Sequence, residues 1–181
     1  MTDEPGTISA MSPQERRFRE VYASSADDLI RFLRRRVAPA QVEDVAAEAY
    51  LIVWRRIDEL PTDLSQARAW LFGIARNCAL NALRSTGRQD ALAVRIADHM
   101  QPQPGSHPQE RLDAIEIRLD IVTAWRRLDP VDQETLALTV FDELTSVEAG
   151  KVLGITSAAY RVRLMRARRN LRRHLDQEIP T

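Results

Sequence analysis

Apolar residues recur along this chain at three- and four-residue spacing, and nowhere does a strand-like alternation compete. From Pro13 onward, Phe18, Val21, Tyr22, Leu29 and Leu33 form one apolar stripe, which predicts a first helix. Arg34, Arg35 and Arg36 lie at its end, where positive charge suits the helix dipole, and Pro39 breaks it. A second helix is predicted from about Gln41 to Leu60, with Val42, Val45, Ala46, Ala49, Val53 and Ile57 facing inward. Pro61, Thr62 and Asp63 read as a loop. A third helix follows from about Ser65 to Ser85, with Trp70, Leu71, Ile74, Cys78 and Ala82 at helical spacing. Three such helices can bury their stripes against one another as a bundle.

The pattern then lapses. Gly87, the Gln101–Gly105 stretch and Pro108 cannot sustain a long helix, although a short one is possible around Ala91 to Ala97. Helical spacing resumes at Arg111, with Ile115, Leu119, Val122 and Leu128 as core positions. Asp129 is a good N-cap and Pro130 a good first residue for a helix ending near Asp142. Thr145 and Glu148 have the spacing of a capping box, and the short helix they open stops at Gly154. Thr156 then caps a long helix reaching about Gln177. The expected fold class is all-α. It comprises a disordered N-terminus (1–13), a three- to four-helix bundle (14–85), a flexible linker (86–111) and a C-terminal helix-turn-helix domain (112–177).

Charge sharpens this picture. The 181 residues balance to a formal net charge of zero. Yet Thr156 to Leu175 holds Arg161, Arg163, Arg166, Arg168, Arg169, Arg172 and Arg173 and no acid. A helix that enters a DNA major groove needs an apolar face toward its own domain and donors on the other. Val162, Leu164, Ala167, Leu171 and Leu175 supply the first, and the arginines the second. The plainer alternative is a solvated arginine-rich helix, or one paired with an acidic partner. One cysteine, Cys78, excludes an internal disulfide and suits a reducing cytoplasm. The acidic, polar N-terminus lacks the marks of a secretory signal, and the apolar run Ala49–Trp54 is far short of a membrane span. His99, His107 and His174 share no metal-ligand spacing, and there is no phosphate loop or nucleophile elbow. No enzyme activity, cofactor, metal, membrane or small-molecule substrate is expected.

Two stretches carry a family resemblance. Leu128 to Leu175, ending Arg163-Leu164-Met165-Arg166-Ala167-Arg168-Arg169-Asn170-Leu171, resembles the promoter-reading domain of extracytoplasmic-function (ECF) sigma factors. Val42 to Leu60 is similar to that family's polymerase-binding helix. Ala67 to Arg84, with its Trp70–Asn77 core, is similar to its promoter-melting helix. The resemblance implies that Asp44 and Glu48 meet a coiled coil on the largest subunit of core RNA polymerase, with Leu51 and Trp54 extending the contact. It implies −10 contacts from Asn77 and Asn81, which can read base edges, and from Arg76, Arg84 and Arg88 on phosphates. Trp70 is either a core residue or a contact to the melted strand. Arg161, Val162, Arg163, Met165 and Arg166 fall where −35 readers are expected, with Arg168, Arg169 and Arg172 on phosphates. An anti-sigma factor covering both domains is a further implied partner.

The chain departs from the family pattern in three places. Ala67 and Ala69 stand where an aromatic usually precedes the melting helix, Gly150 replaces an alanine, and Ala47 stands where glutamine is frequent. Two other readings remain open. A conventional dimeric regulator would account for the helix-turn-helix but not for Asp44 to Asn77. A helical adaptor that has lost promoter reading would bind protein alone.

Overall fold

A computed structural model describes residues 11–86, 117 and 119–177, and these are helical and turn segments without a strand among them. The predicted elements at 87–116, including Arg88, Ala91–Ala97 and Ile115, lie outside the described residues.

Helix α1, Pro13–Arg34, opens on a capping box. The Ser12 hydroxyl accepts from the Glu15 amide at 3.1 Å, and the Glu15 carboxylate accepts from the Ser12 amide at 2.7 Å. Order therefore begins before the expected boundary at residue 13. Helix α2, Val42–Arg55, stops short of the expected Leu60, and a 3-10 turn follows at Ile57–Glu59. The reason is local. Leu60 precedes Pro61 and is held extended, at ψ 122°, yet its side chain is buried, so the chain must leave the helix before it. Helix α3 spans Leu64–Thr86 and starts where the Asp63 carboxylate accepts the Gln66 amide at 2.9 Å.

The second half begins, among the described residues, with a helical segment at 119–126, here α4. Asp129 caps α5, Pro130–Val140, by accepting from the Val131 amide at 2.8 Å. The helix ends before Asp142: Glu143 has φ +53°, and the Asp142 side chain turns into the interior. Thr145 and Glu148 form the expected capping box of α6, Ser146–Leu153. Gly154 adopts φ +66°, the Ile155 amide donates to the Gly150 carbonyl at 2.9 Å, and the Gly154 amide to Lys151 at 3.1 Å. This is the paired bonding of a Schellman turn. It delivers the chain to α7, Ser157–Asp176, capped by Thr156.

The core is continuous through both halves, from Leu29, Phe32, Val53 and Leu71 to Leu138, Ala149, Tyr160 and Ala167. Helices α3 and α6 form the main seam. A Cβ placed on Gly73 of α3 would lie 3.7 Å from the Val152 Cα, so the two backbones nearly touch. Three expectations are corrected. Leu119 is 60% exposed rather than core, and Tyr22 is 49% exposed although it sits on the α1 stripe. Arg35 and Arg36 do not end α1 as solvated dipole partners; both are buried.

Candidate nucleic-acid and partner interfaces

Helix α7 separates its two faces as the sequence predicts. Tyr160, Leu164 and Ala167 are buried against the domain. The Tyr160 hydroxyl donates to the Thr135 carbonyl at 2.8 Å and lies 2.7 Å from the Thr139 hydroxyl, which fixes the rotation of α7 on α5. Burial pushes the Tyr160 phenol above its ordinary pKa, so it stays a neutral donor. The opposite face exposes Arg161, Val162, Arg163, Met165 and Arg166, then Arg168, Arg169 and Arg172. Val162 therefore belongs to the outward face and not to the apolar stripe. None of these arginines forms an ion pair among the described residues. Like charges a turn apart repel, so the helix holds a row of cations with no internal compensation.

On α3, Trp70, Arg76 and Asn77 come together on one wall of a groove of ≈ 520 Å³, whose other wall is Lys151, Val152, Leu153 and Gly154 of the helix-turn-helix. Trp70 is half-buried, with the Arg56 guanidinium 5.3 Å from its ring centroid. Asn77 and Asn81 are exposed, and Asn81 accepts from Arg84 at 3.1 Å. Arg76 donates to Glu134 of α5 at 3.3 Å. Ala67 and Ala69, which stand where an aromatic is usual in the family, are buried residues of the first turns of α3.

Helix α2 exposes Asp44, Glu48, Leu51 and Trp54. Trp54 packs edge-on to Phe18 at 5.4 Å, and Phe18 continues to Tyr50 and Tyr22. This half-exposed aromatic cluster beside the acidic residues was not expected. Its trace in the sequence is the i, i+4 pairing of aromatics on two helices, Phe18 with Tyr22 and Tyr50 with Trp54.

A second unexpected site joins the halves. Arg35 and Arg36 both pair with Asp142, whose side chain is fully buried; Arg36 does so at 2.8 Å. Arg36 and Arg76 share Glu134, each at 3.3 Å. Burial alone would depress the Arg36 pKa, but the charges of Glu134 and Asp142, with their hydrogen bonds, outweigh it and raise it. Around this cluster Ser65 donates to Glu148 at 2.9 Å and Lys151 to Gln66 at 2.8 Å. Burial would raise the Glu148 pKa; bonds from Thr145 and Ser65 and the nearby Arg68 charge bring it below its ordinary value.

A helical bundle followed by a helix-turn-helix with an uncompensated cationic helix defines a DNA-binding class of protein. Comparison with known proteins narrows it. Sigma-70 region 2 matches residues 21–89, and sigma-70 region 4 matches residues 118–171. The chain belongs to the RNA polymerase sigma factors, in their ECF group. It is 34% identical over 150 residues to the probable RNA polymerase sigma factor RfaY of Xanthomonas campestris, covering 78% of this chain and 36% of that one. It is 27% identical over 163 residues to the ECF sigma factor BldN of Streptomyces coelicolor, covering 89% of this chain and 61% of that one. The chain thus spans less than two thirds of either relative. The structure of CnrH in complex with the cytosolic domain of CnrY shares the fold, with a TM-score of 0.59 and 24% identity over 94% of both chains.

Proposed function

We propose that this protein binds core RNA polymerase and directs promoter-specific initiation by reading −10 and −35 elements. The observation that carries the reading is the outward face of α7. Arg161, Val162, Met165 and Arg166 stand exposed and unpaired on the second helix of a helix-turn-helix, where base contacts are made. Family membership of both halves supplies the rest. The exposed Asp44, Glu48, Leu51 and Trp54 would meet the coiled coil of the largest polymerase subunit. Trp70, Asn77 and Asn81 would receive unstacked −10 bases, with Arg76, Arg84 and Arg88 on their phosphates. Capturing an unstacked base stabilises the melted promoter by binding energy, against an unstacking cost of a few kcal/mol. The protein has no covalent step of its own in this reading. It acts in the cytoplasm, and an anti-sigma protein is its natural inhibitor.

The test is run-off transcription with core polymerase on a genomic promoter library. Wild type is expected to produce specific start sites, and both Asp44→Arg/Glu48→Arg and Arg161→Ala/Arg166→Ala to lose them. Binding to duplex DNA without any dependence on polymerase would instead indicate a conventional regulator. Polymerase binding without initiation would indicate an adaptor.

A further inference from the structure

A second cavity, of ≈ 370 Å³, opens between α3, α5 and α7. Its body is apolar: Leu80 and Leu83 of α3, Val131 of α5 and Leu153 at the end of α6 line it. None of these four is fully buried, and Val131 is 53% exposed, so apolar surface stays uncovered here. The polar part of the wall is cationic. Arg36, Arg76 and Arg163 line it with a single carboxylate, Glu134. Glu134 lies 3.3 Å from both Arg36 and Arg76. Asp142, the other partner of Arg36, is itself shared with Arg35. Arg163 is exposed and has no ion pair among the described residues. Positive charge is therefore left over beside an open apolar wall.

We propose that this cavity is a small-molecule site for a monocarboxylate with an apolar body, its head group on Arg163 and Arg76 and its chain along Leu80, Leu83, Val131 and Leu153. Each part of that description follows from the wall. A guanidinium presents a planar fork of donors that fits a carboxylate in a bidentate pair. Glu134 remains in the wall and repels a second negative charge, which favours a monoanion over a dianion. Small-molecule sites are mostly apolar concavities of about 300–1,000 Å³ with a few placed polar groups, and this cavity has that size and make-up. At about 30 Å³ for each water-sized unit it holds roughly a dozen non-hydrogen atoms, the size of a fatty acid of about ten carbons. Arg76 and Arg163 are also the side chains assigned to promoter DNA, so ligand and DNA compete for them. That consequence, unlike the site itself, rests on the proposed function.

The experiment is calorimetric titration of the full-length protein with decanoate at neutral pH, below its micelle concentration. Wild type should take up a single equivalent. Acetate, which has the head group without the chain, and decyltrimethylammonium, which has the chain with a cationic head, should not bind. Arg163→Ala should weaken decanoate by about tenfold or more, the worth of one charge-assisted bond. Val131→Trp should abolish binding by filling the apolar body. Both positions are exposed, so both variants should keep the wild-type circular dichroism. No uptake by wild type would overturn the proposal. So would uptake of several equivalents, equal binding of the cationic analogue, or affinity unchanged in both variants, each of which marks detergent-like adsorption. In run-off transcription decanoate should reduce the wild-type product several-fold and spare Val131→Trp; equal loss from both would overturn the competition with DNA. If decanoate binds as described but no start site appears even in its absence, the proposed function fails and the site stands.

Discussion

The Asp142 carboxylate lies 2.8 Å from the Arg36 guanidinium, 106 residues earlier in the chain, and its side chain is fully buried. Arg35 reaches the same carboxylate and also donates to the Phe141 carbonyl at 3.1 Å. One acid thus pairs with two adjacent buried cations across the seam between the halves, and Glu134 supplies Arg36 with a second carboxylate. Asp142→Asn leaves both guanidiniums short of charge. Breaking a buried pair costs about 3–5 kcal/mol, an upper bound here because undocking returns the arginines to water. Urea denaturation followed by circular dichroism should show a lowered midpoint; an unchanged midpoint would mean that the cluster contributes no net stability.

Gly150→Ala should destabilise the C-terminal domain. Helix propensity alone favours alanine by about 1 kcal/mol. But a Cβ there would sit 2.9 Å from the Ile155 carbonyl oxygen and 3.3 Å from the Ser157 amide, inside the turn that joins α6 to α7. That backbone is bonded into place and cannot yield cheaply. Thermal melting should show a lower Tm; a higher one would show that the turn relaxes.

The exposed arginines of α7 should divide by position. Arg161→Ala and Arg166→Ala should relax −35 discrimination, by roughly 1–3 kcal/mol where a bidentate bond to a base is removed. Arg169→Ala and Arg172→Ala should instead weaken binding to all sequences alike and reduce the salt dependence by about 0.9 for each phosphate that is no longer neutralised. Holoenzyme binding to promoter and mismatched duplexes at several salt concentrations separates the two behaviours. Identical effects from both pairs would contradict the division.

Cys78 should be inert in the folded protein. It is 3% exposed, and burial, with the nearby Glu48 charge, pushes its thiol up to about 11. The thiolate is the reactive form, so a disulfide reagent at pH 8 should label Cys78 only after denaturant is added. The sign of the linkage follows. The raised pKa contributes stability that is complete below the thiol's ordinary value of 9.0 and is lost as pH rises toward about 11. Rapid native labelling would place Cys78 outside the core.

The helix starts were legible in the sequence because capping is local chemistry. The Ser12–Glu15 box falls in a stretch expected to be disordered, but Asp129 with Pro130 and Thr145 with Glu148 each act within three residues, and the structure has both in place. The same holds for Gly154, whose positive φ suits a residue without a Cβ. The two faces of α7 were legible from periodicity, except that Val162 turned outward. Helix ends were less so. The second helix stops at Arg55 because Leu60 must be both extended and buried, a demand set by packing as well as by Pro61.

What the sequence by itself determined, then, is an all-helical chain, its caps, its helix-turn-helix and its cationic recognition face. Each follows from residues a turn or two apart. Only the tertiary structure decided the fate of Arg35, Arg36 and Arg76. As a local pattern Arg34–Arg36 is a charged helix end that belongs in water. Burial became favourable only because folding brought Asp142 and Glu134 across the seam, from 98 to 107 positions away for Arg35 and Arg36. No periodicity encodes that pairing, because a buried charge is stable only where its counter-charge arrives, and that is a property of the packed chain.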